Sequence, residues 1–134
     1  LNLAIAQRLV RRLCPDCKRP VKAEGRAEAI IEETVGVLPE SELKLLPATK
    51  PPFTLYEAAG CKKCGHKGTR GRIAIYEVLE MTPQLETIAI HEIAESAISK
   101  EADRQGMIRM KYDGIIKALQ GFVSLQEVLE AVEV

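Results

Sequence analysis

The feature that most constrains this 134-residue chain is the arrangement of its four cysteines in two CxxC pairs, Cys14–Cys17 and Cys61–Cys64. Two cysteines three positions apart on a tight turn can point both sulfurs at one ion. A second such turn completes a tetrahedron of four thiolates around Zn²⁺. The pattern therefore predicts a zinc site with Cys14, Cys17, Cys61 and Cys64 as ligands. We expect its role to be structural, because four protein ligands leave no position open for water.

Other uses of the cysteines stay open on the sequence alone. Four free buried thiols are one alternative. Two disulfides are another, but they need an oxidising compartment, which nothing in the sequence indicates. A redox CxxC pair would leave the second pair unexplained. His66, two residues after Cys64, could compete as a ligand, and we expect it to face solvent instead.

The composition indicates a folded protein with an aliphatic core. Hydrophobic residues make up 46%, charged residues 28% and aromatic residues only 4% of the chain. The formal net charge is zero, which does not indicate a strongly basic nucleic-acid binder. No apolar run reaches the ~18–20 residues that cross a bilayer, and no signal peptide is visible. Because Leu1 is not an initiator methionine, we expect the chain to be a piece of a longer protein.

Charge is distributed unevenly along the chain. Residues 1–22 and 61–72 hold eleven Lys and Arg against one acid, Asp16. These basic residues are Arg8, Arg11, Arg12, Lys18, Arg19, Lys22, Lys62, Lys63, Lys67, Arg70 and Arg72. Such a patch suits an anionic partner, although it also balances the −2 formal charge of a zinc–tetrathiolate centre. No aromatic residues alternate with the basic ones, which disfavours stacking on nucleic-acid bases.

Periodicity and turn residues predict an α+β, mostly α protein, in which a small zinc-stapled subdomain with short strands precedes a C-terminal helical bundle. Residues 1–13 suggest the end of a helix passing into a short strand. A helix from Arg26 to Val35 should stop at Gly36. Strands are predicted at 53–56 and 72–80. Further helices are predicted at 39–46, from Thr82-Pro83, at 96–105 and 112–120, and from a capping box at Ser124.

The motifs of common catalytic sites are missing from the sequence. There is no GxxxxGK[ST] phosphate loop, no GxGxxG and no HExxH. Glu77 and Glu80 are expected to be surface carboxylates rather than an acid–base pair. The chain by itself is therefore not expected to be an enzyme.

The order of the motifs resembles the C-terminal part of the ATPases of type II secretion and type IV pilus assembly, of the GspE and PilB type. The most specific match combines AQRLVRRLCPDC with GCKKCGHKGTRGRIAIYEVLEMT. The segments QGM, YDGIIKAL and GFVSLQEVL follow in the same order. The resemblance covers essentially all 134 residues.

The resemblance implies a domain plan. Residues 1–13 would end the RecA-like ATPase domain, 14–72 would form the four-Cys zinc-binding subdomain, and 73–134 would form a strand and the C-terminal helical region. ATP and Mg²⁺ would bind only in the RecA-like domain, whose Walker motifs this chain lacks.

The resemblance also implies partners and a location. The partners would be neighbouring ATPase subunits in a hexameric ring and an inner-membrane platform protein, at the cytoplasmic face of the bacterial inner membrane. We expect no nucleic acid as partner, a monomer for the isolated chain, and unfolding of residues 14–72 first when zinc is removed. The alternative is a free-standing zinc-ribbon-like module that binds nucleic acid or acts as an adaptor.

Overall fold

A computed structural model describes residues 3–91 and 95–132 of the protein. In chain order, these residues form β1 Leu3–Leu13, β2 Lys18–Lys22, α1 Arg26–Val37, α2 Glu40–Leu43, β3 Thr54–Ala58, a 3-10 turn Lys62–Cys64, β4 Thr69–Glu80, α3 Pro83–His91, α4 Glu95–Arg104, α5 Met110–Leu119 and α6 Leu125–Val132. The fold is α+β and mostly helical with short antiparallel strands, as the sequence predicts. None of the described helices combines the length and apolar character that a membrane crossing requires.

The longest strands, β1 and β4, pair antiparallel in a two-stranded sheet. The register runs from Leu3 opposite Glu80 to Leu13 opposite Thr69, with an irregularity between Arg11 and Leu13. The predicted helical start of the chain is therefore wrong over the described residues, because strand begins at Leu3. Leu, Ala and Arg favour helix as single residues, but pairing with a strand more than fifty positions away decides the conformation of this segment.

Side chains of α5 cover the outer edge of β4. The Tyr76 N–H donates to Asp113 Oδ2 at 2.8 Å, and Lys117 Nζ donates to the Ala74 carbonyl at 2.8 Å. Lys117 Nζ also pairs with Asp113 Oδ2 at 2.8 Å. Backbone groups that a third strand would otherwise bond are thus occupied by α5, which blocks strand addition on this side.

The second sheet consists of β2 and β3, paired antiparallel from Lys18 opposite Ala58 to Lys22 opposite Thr54. The sequence predicts β3 approximately, but the prediction of strands is wrong in omitting β2. Three basic residues and Pro20 stand in this five-residue strand, so it lacks the apolar alternation of a half-buried strand.

One apolar core joins the segment between the CxxC pairs to the C-terminal helices. Fully or nearly fully buried members come from both parts: Ile31, Phe53, Leu55, Ile115, Ile116, Leu119, Val123 and Val128. Helix α1 packs on α5 in this core, and α5 packs on both α6 and β4. Helix α1 continues through Gly36 to Val37, so the predicted stop at Gly36 is wrong.

The capping signals at α3 and α6 act largely as predicted. Thr82 Oγ1 accepts the Leu85 N–H at 3.1 Å, and Ser124 Oγ accepts the Glu127 N–H at 3.1 Å. The Glu127 carboxylate, however, binds Arg11 of β1 rather than closing the capping box. The α6 cap thereby also ties the last helix to the first strand.

Candidate metal centre

The two CxxC pairs lie where the ladders of both sheets end. Cys14 directly follows β1 and Cys17 directly precedes β2, whereas Cys61 and Cys64 lie on the connection between β3 and β4. The last pair of one ladder is Leu13–Thr69, and the first pair of the other is Lys18–Ala58. Because both ladders converge here, strand pairing brings together two turns that are far apart in sequence.

The four sulfur atoms form one cluster, all within 4.8 Å of one another. The Sγ–Sγ distances are 3.8 Å for Cys14–Cys61, 3.9 Å for Cys17–Cys64 and 3.7 Å for Cys61–Cys64. A tetrahedron with Zn–S bonds of about 2.3 Å has edges of about 3.8 Å. The observed separations therefore suit four thiolates around one ion of this size.

The same distances bear on the alternative uses of the cysteines. All four are free thiols, and their separations far exceed the ~2.05 Å of a disulfide bond. Cys14 and Cys64 are buried, while Cys17 and Cys61 are half-buried. A single cluster of all four sulfurs is the arrangement expected of a metal site rather than of separate, unrelated thiols.

Backbone N–H groups point at the sulfur of Cys64. The Cys61 N–H lies 3.2 Å and the Gly68 N–H 3.3 Å from Cys64 Sγ. Led by the hydrogen bond from Cys61, these contacts lower the pKa of Cys64 to about 6. Burial, together with the neighbouring thiols, raises the pKa of Cys17 to about 12. The cluster therefore favours a thiolate at one position and a thiol at another, and a bound metal would displace the remaining protons.

The second CxxC turn uses two residues with left-handed backbone. Gly65, directly after Cys64, has φ +64° in the left-handed region. His66 also has a positive φ of 62°, and its N–H donates to the Cys61 carbonyl at 2.8 Å. The His66 side chain is exposed and does not belong to the sulfur cluster.

Charges next to the cluster link the two turns. Asp16, between the first two cysteines, lies 3.5 Å from Lys63 Nζ and 3.5 Å from an Arg70 guanidinium nitrogen. Lys62 is exposed beside them. In the sequence Asp16 is only the one acid of a basic region, whereas in the structure its carboxylate offsets two of the cations and joins both CxxC turns.

Three other residues considered in the sequence lie away from the cluster. His91 is exposed at the end of α3, with Nδ1 2.9 Å from the Thr87 carbonyl oxygen. Glu80 is exposed. Glu77 is half-buried, and its carboxylate accepts the Met110 N–H at the start of α5. Glu77 thus acts as a cap for a distant helix, a role without a local sequence signal.

Comparison with known proteins identifies the family. The family model described as type II/IV secretion system protein matches residues 1–130. The chain is 38% identical to the type IV pilus assembly ATPase PilB of Myxococcus xanthus, over 96% of the chain and 21% of that protein. It is also 38% identical to the type II secretion system ATPase E of Vibrio cholerae, over 93% of the chain and 22% of that protein.

The pilus assembly ATPase PilB of Thermus thermophilus is 37% identical over 93% of the chain and 13% of its own length. The chain thus spans about a fifth or less of each of these relatives. The match runs through both CxxC pairs and the C-terminal helices, the segments that carry the resemblance noted in the sequence. The protein therefore belongs to the type II/IV secretion system protein family.

Proposed function

We propose that this chain is the zinc-binding C-terminal module of an ATPase that powers type II protein secretion or type IV pilus assembly. Its role is structural and interactive, since no phosphate-binding motif stands in its sequence. The ATP and Mg²⁺ of the parent protein bind in a preceding RecA-like domain. The secretion and pilus ATPases among the relatives, which are about five times as long as the match, support this assignment.

The observation that carries the zinc assignment is the sulfur cluster itself. Four thiolates are a soft donor set that selects Zn²⁺ over Mg²⁺ or Ca²⁺. Cys14, Cys17, Cys61 and Cys64 would hold the ion, and three of their Sγ–Sγ separations, at 3.7–3.9 Å, match the edges of its tetrahedron. Zinc would supply a cross-link between the two turns.

An exposed apolar face supports attachment to a preceding domain. Leu3, Ile5 and Leu9 of β1 lie on one face of the β1–β4 sheet, and Val78 of β4, which is opposite Ile5, shares this face. The three β1 side chains are 47–60% exposed, and Val78 is 43% exposed. Contiguous exposed apolar side chains are a mark of an interface. We propose that the RecA-like domain of the parent packs on this face, so that residues 1–13 belong to that domain, 14–72 to the zinc subdomain and 73–134 to the C-terminal region.

The basic residues around the metal centre suggest how the module meets other proteins. Lys62 is exposed, and Lys63 and Arg70 are more than half exposed despite their contact with Asp16. We propose that this surface contacts an acidic partner. That partner is either the neighbouring subunit of a hexameric ring or the platform protein at the cytoplasmic face of the inner membrane.

The test is the metal content of the purified chain. We expect one zinc per chain by elemental analysis, and the Co²⁺-substituted protein should show the charge-transfer absorption of a tetrahedral thiolate site. Cys61→Ser should lose tight zinc binding. His66→Asn is the matched control from the same turn, because Asn tolerates the left-handed backbone. A chain without bound metal, or His66→Asn failing as severely as Cys61→Ser, would refute the zinc assignment.

Nucleic-acid binding is the outcome that would favour the alternative module. A gel shift with duplex DNA and with RNA at low and physiological salt separates the two readings. The secretion module should give only weak retention that disappears as salt rises.

A further inference from the structure

The turn between α5 and α6, residues 120–124, rests directly on the first CxxC segment. The Leu13 N–H donates to the Phe122 carbonyl at 2.9 Å. Lys18 Nζ donates to the Gly121 carbonyl at 2.9 Å. Leu13 immediately precedes Cys14 and Lys18 immediately follows Cys17. The two residues that flank the first ligand pair therefore both hold the same distant turn.

Packing at Gly121 leaves little freedom at this contact. Gly121 is buried with φ +89°, and a Cβ there would lie 3.2 Å from Lys18 Nζ and 3.3 Å from the Tyr56 ring. The Lys18 ammonium group lies 5.5 Å from the centre of that ring, within the range of a cation–π interaction. The carbonyl, the ammonium group and the ring thus form one close-packed contact between β2, β3 and the α5–α6 turn.

Helices α5 and α6 pack closely against each other on either side of their turn. Gly114 of α5 approaches Val128 of α6 so closely that a Cβ would lie 2.4 Å from Val128 Cγ1. Glu127 of α6 accepts hydrogen bonds from Arg11 of β1 at 2.9 and 3.1 Å. A shift of the turn would therefore have to displace both helices.

Backbone hydrogen bonds link Lys18 and Cys14 to the metal turns. The Lys18 N–H donates to the Cys14 carbonyl at 3.1 Å, and the Cys14 N–H donates to the Gly68 carbonyl at 3.0 Å. Gly68 in turn donates its N–H to Cys64 Sγ. Fixing the four sulfurs consequently fixes the backbone from which the Lys18 side chain reaches the turn.

We propose that the metal centre positions the α5–α6 turn, and with it the C-terminal helices, through Lys18. The proposal rests on the zinc binding proposed above. Lys18 is a positioning residue: it touches no metal and transmits the geometry of the Cys14–Cys17 turn to Gly121. Metal occupancy is thereby coupled to a turn that lies 103 residues beyond Lys18 in sequence.

Hydrogen–deuterium exchange of residues 120–123 tests this coupling in the full chain with and without zinc. The Gly121 and Phe122 amides donate to the Ala118 and Lys117 carbonyls, so their exchange reports local opening of the turn. We expect removal of zinc to speed their exchange about tenfold, which corresponds to about 1.4 kcal/mol. Zinc-bound Lys18→Met, which keeps an apolar stem, should show a similar increase and little further change when zinc is removed.

Lys22→Met is the matched control, because Lys22 is an exposed lysine at the other end of the same strand. In Lys22→Met, residues 120–123 should exchange at the same rate as in the wild type. Zinc content is measured for each protein. A wild-type chain without zinc would refute the metal centre and this coupling together. Zinc-bound wild type whose turn exchanges at the same rate after zinc removal would overturn the coupling alone. Loss of zinc from Lys18→Met would also overturn it, since Lys18 would then serve the site itself.

Discussion

Replacing Gly114 by alanine tests whether α5 and α6 are packed as closely as the structure indicates. Gly114 lies in the interior of α5, and an added methyl would lie 2.4 Å from Val128 Cγ1 and 3.1 Å from Cγ2. Val128 is fully buried, and because protein cores are close-packed its side chain cannot turn out into solvent to avoid the new methyl. The helices must separate or Val128 must leave its rotamer.

Two opposing effects set the magnitude. Alanine in a helix interior is better than glycine by about 0.5–1 kcal/mol. Inserting a methyl into a close-packed core costs about 1–3 kcal/mol, and a 2.4 Å contact belongs in the upper half of that range. We therefore expect Gly114→Ala to lower the free energy of unfolding by about 1–2.5 kcal/mol.

Urea unfolding of the zinc-loaded protein measures this change, with Gly36→Ala as the control. Gly36 lies inside α1, and a Cβ there would meet nothing within 4 Å, so this variant should gain about 0.5–1 kcal/mol. Val128→Ala alone should cost at least ~1.6 kcal/mol for its two methyl groups. Combined with Gly114→Ala, it should cost less than the sum, because the new methyl occupies the vacated space. A Gly114→Ala chain stabilised like Gly36→Ala would refute the close packing.

Two further predictions concern charged groups. Hydrogen bonds from Arg104, Thr82 and Gln105 lower the pKa of the buried Glu101 to about 2. Because this pKa is lower in the folded than in the unfolded chain, the carboxylate stabilises the protein above pH ~4.5 and loses this effect as the pH falls to about 2. Glu101→Gln should therefore be less stable than wild type in urea at neutral pH, and the difference should shrink in acid; a difference independent of pH would contradict the assignment. At the basic surface, the platform protein as the proposed acidic partner predicts that Lys62→Glu in the full-length parent weakens its pull-down, whereas Lys100→Glu on α4 does not. Equal pull-down by both variants would exclude Lys62 from this contact.

Local signals predict the elements that depend on nearby residues. The Thr82 and Ser124 caps mark where α3 and α6 begin, and the β-branched run in β4 marks a strand. The CxxC spacing within each pair likewise predicts that the four sulfurs gather at one site. In each case the signal itself spans only a few positions, although the two CxxC pairs lie more than forty residues apart in the chain.

Elements that depend on distant partners have no such signal. β1 is rich in helix-favouring residues and becomes a strand only through its ladder with β4. β2 contains Pro20 and three cations, and it forms against β3. The contact of Lys18 with Gly121 joins residues 103 positions apart, so no sequence window can include both.

The shared apolar core limits the part of the chain that depends on zinc for its folded structure. The sequence predicts that residues 14–72 unfold first when zinc is removed. In the structure, Ile31 and Phe53 from this segment are buried in one cluster with Ile115 and Val123. Hydrophobic burial thus already stabilises α1, whereas the turns at 14–17 and 61–67 are largely exposed and have the sulfur cluster as their main connection. We therefore expect zinc removal to open these turns and the ends of β2 and β3 while α1 stays protected from exchange. If α1 loses its protection from exchange together with these turns, zinc would instead be needed to hold all of residues 14–72 folded.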